Sequence, residues 1–309
     1  MKLLMAGRWG YSPEMLRALE GLGLELMFLP EREEQHYELD FSDVDIVVCY
    51  RFFNYNDLDA FPALKYIHTT SAGLDHMPLE ELARRGVAVD NARGVYSAPM
   101  AEFALGGVLQ LYKKAPLMRA RQTQHLWKQD RHLRELGGKT VLLVGTGSIG
   151  TECAKRFSAM GCRVEGLCRH PKQDAPFFDA QHPIAALDAH LPDADVLILC
   201  VPLTDETRHL MDEARFARMT PGAVLVNIAR GPVVDTAALL RALDAGTLSG
   251  AVLDVFEEEP LPAASPLWDR EDVIVTPHNS FNGDGNAQRM FDLIYKDTRK
   301  WLEQRRNLP

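Results

Sequence analysis

Val141–Leu142–Leu143–Val144–Gly145–Thr146–Gly147–Ser148–Ile149–Gly150 is the stretch that decides the fold. Its four leading apolar residues read as a buried strand, and Ala154, Phe157 and Met160 beyond it recur at helical spacing. Between a strand and a helix, G-x-G-x-x-G gives each glycine a physical task. The first permits the tight turn, the second lets the backbone approach a pyrophosphate, and the third lets helix and strand pack closely. The helix N-terminus adds unpaired N–H groups and the positive end of a dipole. Gly145, Gly147, Ser148, Ile149 and Gly150 are therefore candidate dinucleotide-binding residues.

The following strand, read at Arg163–Cys168, should end beside the adenine ribose. An NAD-selective site places Asp or Glu there, about 20 residues past the fingerprint. This chain instead has Cys168–Arg169–His170–Pro171–Lys172. No acid is present to repel a 2′-phosphate, and Arg169 can grip one with its planar fork, so NADP is the preferred cofactor and NAD is possible. Glu165 lies within the strand, too early to hold the ribose.

Working outward, short apolar runs alternate with helical patterns on both sides of the fingerprint. Strand-like runs precede it at Leu3–Ala6, Leu24–Leu29, Ile46–Tyr50, Tyr66–Thr69 and Val87–Val89. Others follow it at Val196–Cys200, Ala223–Asn227, Gly250–Asp254 and Val273–Thr276. Buried runs separated by helices imply parallel sheets covered on both faces. Ser12–Pro13–Glu14 starts one helix with an N-cap serine and proline at the first position. Another begins near Ser97–Ala98–Pro99, and its Ala104, Gly106 and Gly107 predict close packing within a domain or across a dimer. The tail Gly283–Leu308 reads as one helix with Met290, Leu293, Ile294 and Trp301 on its apolar side. A length of 309 residues accommodates two domains.

The formal charge of −9 argues against a nucleic-acid surface. Arg131–His132–Arg134 and Arg305–Arg306 are short basic clusters with acids nearby and read as solvated. Met1–Met5 is too short for a signal peptide, is ended by Gly7–Arg8–Trp9, and reads as a first buried strand. No run approaches the roughly 18 apolar residues that cross a bilayer. The five cysteines form no C-x-x-C pair, so neither a disulfide framework nor a metal site is expected, and a cytoplasmic setting fits.

Three later segments carry the chemistry: Val226–Asn227–Ile228–Ala229–Arg230–Gly231–Pro232–Val233–Val234–Asp235, Leu253–Asp254–Val255–Phe256–Glu257–Glu258–Glu259–Pro260–Leu261, and Thr276–Pro277–His278–Asn279. With the fingerprint, the Ser71–Ala72–Gly73–Leu74–Asp75 loop and Ala101–Glu102, they resemble the D-isomer-specific 2-hydroxyacid dehydrogenase family over nearly the whole chain. Reducing a 2-keto acid needs a cation for the carboxylate, an acid for the carbonyl oxygen and a hydride above the carbon. Arg230 supplies a permanent planar double donor, and His278 can give and retake a proton near neutral pH. Glu259 beside the imidazole favours its charged form and fixes its orientation. The resemblance places these roles on Arg230, Glu259 and His278.

The same resemblance implies that the amides of Ala72 and Gly73 hold the substrate carboxylate. It also implies that Asp254 receives the nicotinamide carboxamide, and that Met100, Val201, Pro202, Thr207 and Ile228 line the cofactor. It implies two doubly wound α/β domains: a Rossmann cofactor domain at 98–281, inserted in a flavodoxin-like substrate domain formed by 1–97 and 282–309. The active site then lies in the cleft and the cofactor domain forms a homodimer. Two segments depart from the family pattern. Asn279–Gly285 replaces a small-residue run, and Tyr50–Arg51–Phe52–Phe53 is bulkier and more basic than a substrate-capping loop usually is. Arg51 either meets a second acidic group on the substrate or is solvated. Glu257 and Glu258 read as solvated, and the remaining histidines as surface or core residues, with His76 and His170 the ones to watch. The reaction expected is reduction of a glyoxylate- or hydroxypyruvate-type acid. The alternatives are oxidation of a phosphoglycerate-type substrate with NAD, and a dinucleotide-sensing corepressor-like binding protein.

Overall fold

In a computed structural model of the chain, residues 1–6, 10–74 and 76–306 are described. Gly7, Arg8, Trp9, Asp75 and Leu308, all cited above, lie outside them. The chain divides into two compact units, Met1–Tyr96 with Gly283–Pro309, and Ser97–Asn282.

The first unit is built on five parallel strands: β1 (Lys2–Met5), β2 (Glu25–Phe28), β3 (Val44–Cys49), β4 (Tyr66–Thr69) and β5 (Ala88–Asn91). Their order, β2-β1-β3-β4-β5, is the flavodoxin-like one. Central β3 and β4 bury nearly every side chain, as strands covered on both faces must. The Ser12 hydroxyl accepts the Met15 N–H at 3.3 Å and so caps the helix Pro13–Glu20. The last helix, Asn286–Arg306, belongs to this unit and packs Met290, Phe291 and Ile294 inward. Trp301 stacks on Tyr66 of β4 with ring centroids 5.0 Å apart.

The second unit has seven parallel strands: β6 (Thr140–Val144), β7 (Arg163–Cys168), β8 (Ala180–Pro183), β9 (Val196–Leu199), β10 (Ala223–Asn227), β11 (Leu248–Leu253) and β12 (Val273–Val275). In space they run β12-β11-β10-β9-β6-β7-β8. Counting from β6, that is the doubly wound Rossmann order with a seventh strand added. The order reverses between β6 and β9, and this switch point opens a crevice at the strands' carboxyl ends.

Strand β8 is absent from the sequence reading. Ala180–Gln181–His182–Pro183 is an edge strand with half-exposed polar side chains, and it ends in proline, which an edge tolerates. No apolar run marks it. The small-residue helix spans Ser97–Tyr112, and at Gly107 it packs closely within the second unit. A Cβ at Gly107 would stand 2.6 Å from a Val252 methyl of β11. Arg134 is not the solvated residue expected. Its guanidinium lies 4.1 Å over the Tyr112 ring and donates to the Gly222 carbonyl at 2.7 Å and the Ser249 hydroxyl at 2.8 Å. Of the described helices, none is long and apolar enough to cross a membrane.

Candidate active site

The dinucleotide turn follows β6 directly. Gly145 has φ +107°, and a Cβ there would sit 2.6 Å from the Cys200 carbonyl oxygen. A Cβ on Gly150 would lie 2.0 Å from the Gly145 carbonyl oxygen, inside any contact distance. A Cβ on Gly147 would meet nothing within 4 Å. Gly147 is also the N-cap of the helix Ser148–Ala159 and provides no side-chain cap, which leaves the helix amides to an outside anion. The three glycines thus divide as a dinucleotide turn requires, two by internal crowding and one by an open face, and the cradle fits a pyrophosphate.

This division yields a test. Gly150→Ala should lower thermal stability and dinucleotide affinity together, because the turn must move. Gly147→Ala should keep the unfolding temperature but weaken dinucleotide binding roughly tenfold to a hundredfold, the range for charge-assisted hydrogen bonds. Titration and thermal melts of the two variants would show whether the losses separate in this way.

The other cofactor candidates occupy neighbouring strand ends. Arg169 follows β7, is exposed, and has His170 and Lys172 exposed beside it. Nearby, Glu206 is held below the ordinary carboxylate range, chiefly by the Thr204 hydroxyl and to a smaller extent by the charge of Arg169. Val201 is buried just past β9. The Thr207 hydroxyl donates to the Pro202 carbonyl at 2.7 Å and accepts the Thr204 N–H at 2.7 Å, so it shapes the loop that carries Val201 and Pro202. Ile228 is buried just beyond β10 and belongs with half-buried Met100 and Ile149 to one apolar cluster.

Arg230, Glu259 and His278 follow three adjacent strands. β10, β11 and β12 lie side by side, and each sends one of the three residues from its carboxyl end. Asn227, buried at the end of β10, braces the first loop by donating to the Arg230 carbonyl at 3.2 Å and accepting the Ala229 N–H at 3.1 Å. Gly231 sets the spacing to the second loop. A Cβ there would fall 1.8 Å from the Phe256 carbonyl carbon, so the backbones of the two loops are in contact. In the second loop Glu259 Oε1 accepts the Phe256 N–H at 3.0 Å, and Oε2 lies 2.8 Å from His278 Nδ1. A carboxylate only accepts, so Nδ1 carries hydrogen and Nε2 is the ring nitrogen left for other chemistry.

His278 sits at φ +50°, a left-handed conformation that histidine adopts more readily than most residues. Asp254 holds it there. Its carbonyl accepts the His278 N–H at 2.8 Å, and its carboxylate accepts Thr276 Oγ1 at 2.6 Å and the amides of Asn279 and Ser280 at 2.7 and 3.0 Å. Buried Asp254 is therefore a positioning residue for the histidine loop, with lone-pair capacity remaining. Sequence reading missed this brace. The signal available was an acid closing an apolar strand, where an unpaired charge is costly. Glu257 also differs from the solvated residue expected. It receives the Thr236 N–H at 3.0 Å and pairs with His209 Nε2 at 2.8 Å. Burial works to raise its carboxyl, and these hydrogen bonds outweigh that and hold it below the ordinary range.

In the first unit, Asn91 Nδ2 donates to the Ala72 carbonyl at 2.8 Å and the Ser71 hydroxyl donates to the Gly73 carbonyl. Among the described residues, the Ala72 and Gly73 amides have no internal acceptor. Arg51 is exposed, with its guanidinium 4.9 Å from the centre of the Tyr50 ring, and Tyr50 packs edge-on against His76 at 5.1 Å.

Residues 105–280 match the family model for the D-isomer specific 2-hydroxyacid dehydrogenase, NAD binding domain. The chain belongs to this family. It is accordingly an enzyme, an oxidoreductase that uses a nicotinamide dinucleotide. The dehydrogenase is 36% identical to a glyoxylate reductase of Thermofilum pendens over 273 residues, 87% of this chain and 80% of that one. It is also similar to a solved family member from Xanthobacter autotrophicus in complex with NADPH and MES, with TM-score 0.79, 30% identity, and 98% and 95% of the two chains covered. An NADPH-dependent glyoxylate/hydroxypyruvate reductase from Sinorhizobium meliloti, in complex with NADP and sulfate, matches with TM-score 0.79 at 28% identity over 100% and 96% of the two chains.

Proposed function

We propose that this dehydrogenase reduces small 2-keto acids of the glyoxylate and hydroxypyruvate type with NADPH in preference to NADH. The observation that carries the reading is the 2.8 Å contact between His278 Nδ1 and Glu259 on the strand ends next to Arg230. The similarity to glyoxylate reductases favours this substrate class over a phosphorylated hydroxy acid or a purely binding role.

Bound at the Gly145–Gly150 turn, the dinucleotide supplies the hydride at its nicotinamide end. Arg230 holds the keto acid through its carboxylate and carbonyl oxygens and stabilises the negative charge that grows on the latter. His278 Nε2 gives its proton to that oxygen during reduction and takes it back during oxidation. Glu259 keeps the ring turned for the transfer and stabilises the imidazolium from which the proton leaves. In the first unit, the unsatisfied amides of Ala72 and Gly73 are suited to receive a carboxylate, and exposed Arg51 is suited to a second acidic group on a substrate. Asp254 uses its remaining capacity to receive the carboxamide.

Arg169 carries the cofactor preference, because a guanidinium fork matches a 2′-phosphate. Rates measured with NADPH and NADH on glyoxylate and hydroxypyruvate should favour NADPH. Arg169→Ala should lower kcat/KM with NADPH by about tenfold or more and leave NADH nearly unchanged. Equal rates with both cofactors in the parent enzyme would remove the preference and leave the reaction class standing.

We also read the chain as a cytoplasmic homodimer joined through its cofactor unit. Trp127 is 99% exposed, with Leu126 and Leu133 exposed nearby, and such an apolar group on a surface is better suited to a partner than to water. All five cysteines are free thiols, which fits a reducing compartment.

A further inference from the structure

The polar edge of the seven-stranded sheet carries a cluster that the reaction does not use. Glu165 of β7 is buried, and its Oε1 is held by Arg163 through Nε at 2.9 Å and a terminal nitrogen at 2.6 Å. Its Oε2 faces two imidazoles, His190 Nδ1 at 3.0 Å and His182 Nε2 at 3.4 Å. His182 lies on β8 and His190 ends the helix Leu187–His190, so two strands and a helix converge on one oxygen. The two rings face each other at 4.0 Å.

An ion-pair account of this cluster is poorly balanced. Arg163 already neutralises the carboxylate, and two protonated imidazoles would then crowd like charges across a 4.0 Å ring contact with one oxygen between them. With neutral rings, His190 can donate to Oε2, but the buried Nε2 of His182 has no hydrogen-bond partner. Such an atom calls for an explanation, and a missing ion is one. The three ligand atoms lie within 4.8 Å of one another. Ligands about 2.0–2.2 Å from a tetrahedral zinc stand roughly 3.3 Å apart, so the cluster is close to a coordinating arrangement. The rings are tilted by 30° and half-exposed, which leaves room for the rotation that aims both lone pairs at one ion.

We propose that Glu165, His182 and His190 form a divalent transition-metal site that staples the open edge of the seven-stranded sheet. Two imidazoles and a carboxylate oxygen suit Zn²⁺ or Ni²⁺, with water completing the shell. Arg163 acts on the oxygen opposite the ion, fixing Glu165 as a single-oxygen ligand. The ion ties β8 and the helix after it to β7, at the margin where the sheet has no further strand to pair. None of the three ligands belongs to the proposed catalytic or dinucleotide residues, so metal binding adds stability without taking part in hydride transfer.

The test is calorimetric titration of the full chain, free of any purification tag, with Zn²⁺ and separately with Ni²⁺. One equivalent should bind at micromolar strength. With metal held tenfold above its dissociation constant, the melting temperature should rise by about 2–3 °C. His182→Gln and His190→Gln should each weaken binding by about tenfold or more while keeping the parental reductase rate. In the unaltered chain, Zn²⁺ should shift the imidazole resonances of these two histidines, a readout that does not depend on the variants folding. Absence of binding, binding untouched by both exchanges, or metal-induced shifts confined to other histidines would each overturn the assignment.

Discussion

His278→Asn should reduce turnover by about 10²–10⁴-fold, the usual contribution of a positioned acid or base, while NADPH affinity and thermal stability stay near those of the parent. Asparagine is chosen for the backbone. Position 278 has φ +50°, which asparagine tolerates, whereas most residues are strained there. The amide hydrogen bond to Asp254 survives because it is made by the main chain. What disappears is a titratable ring facing Glu259. His278→Ala would mix this loss with backbone strain and is the poorer probe. The decisive measurements are single-turnover rates with saturating NADPH alongside a melting curve. A variant that keeps most of its rate would show that the proton comes from another group.

The second large effect is expected at Arg230. Arg230→Gln keeps much of the side-chain length and removes the charge, and it should lower kcat/KM for the keto acid by about 10²–10³-fold, as loss of a donor to a developing oxyanion does. Part of the loss should appear as a raised KM, because in the proposed reaction the same guanidinium also binds the substrate carboxylate in the ground state. NADPH binding should be unchanged. Arg230→Lys should recover little, since an ammonium cannot offer two parallel donors to a planar acid. A kcat/KM within about threefold of the parent for either variant would move the anion-binding role elsewhere.

Much of the fold is legible in the chain because both sheets are parallel and buried. β4, β7 and β10 coincide with the strand-like runs Tyr66–Thr69, Arg163–Cys168 and Ala223–Asn227, whose buried apolar residues such as Ile67, Val164 and Leu225 mark them even where His68 or Glu165 interrupts. The exception has the same cause. β8 lies at an edge, buries little, and so carries no apolar signature. The candidate site was readable to the extent that its residues stand at strand ends inside compact motifs, as Arg230, Glu259 and His278 do. The braces beneath them were not. Asp254 reaches a loop some 25 positions on that only folding brings to it, and Glu257 finds His209 across 48 positions. Glu165, His182 and His190 are separated by intervals that match no ligand pattern. Arg134 looks like a surface cation in sequence because its Tyr112 ring and the Gly222 carbonyl are brought to it by other elements.

The backbone contact at Gly231 has a bearing on how such an enzyme can change. With the arginine loop resting directly on the glutamate loop, and the histidine loop fastened to Asp254, a lengthening of any one of them displaces its neighbours. The three loops are thus poorly suited to insertion, and point exchanges at exposed side chains outside them disturb this frame least. A library that diversifies such positions and leaves the two seams intact should yield altered selectivity at preserved turnover more often than one that remodels loops.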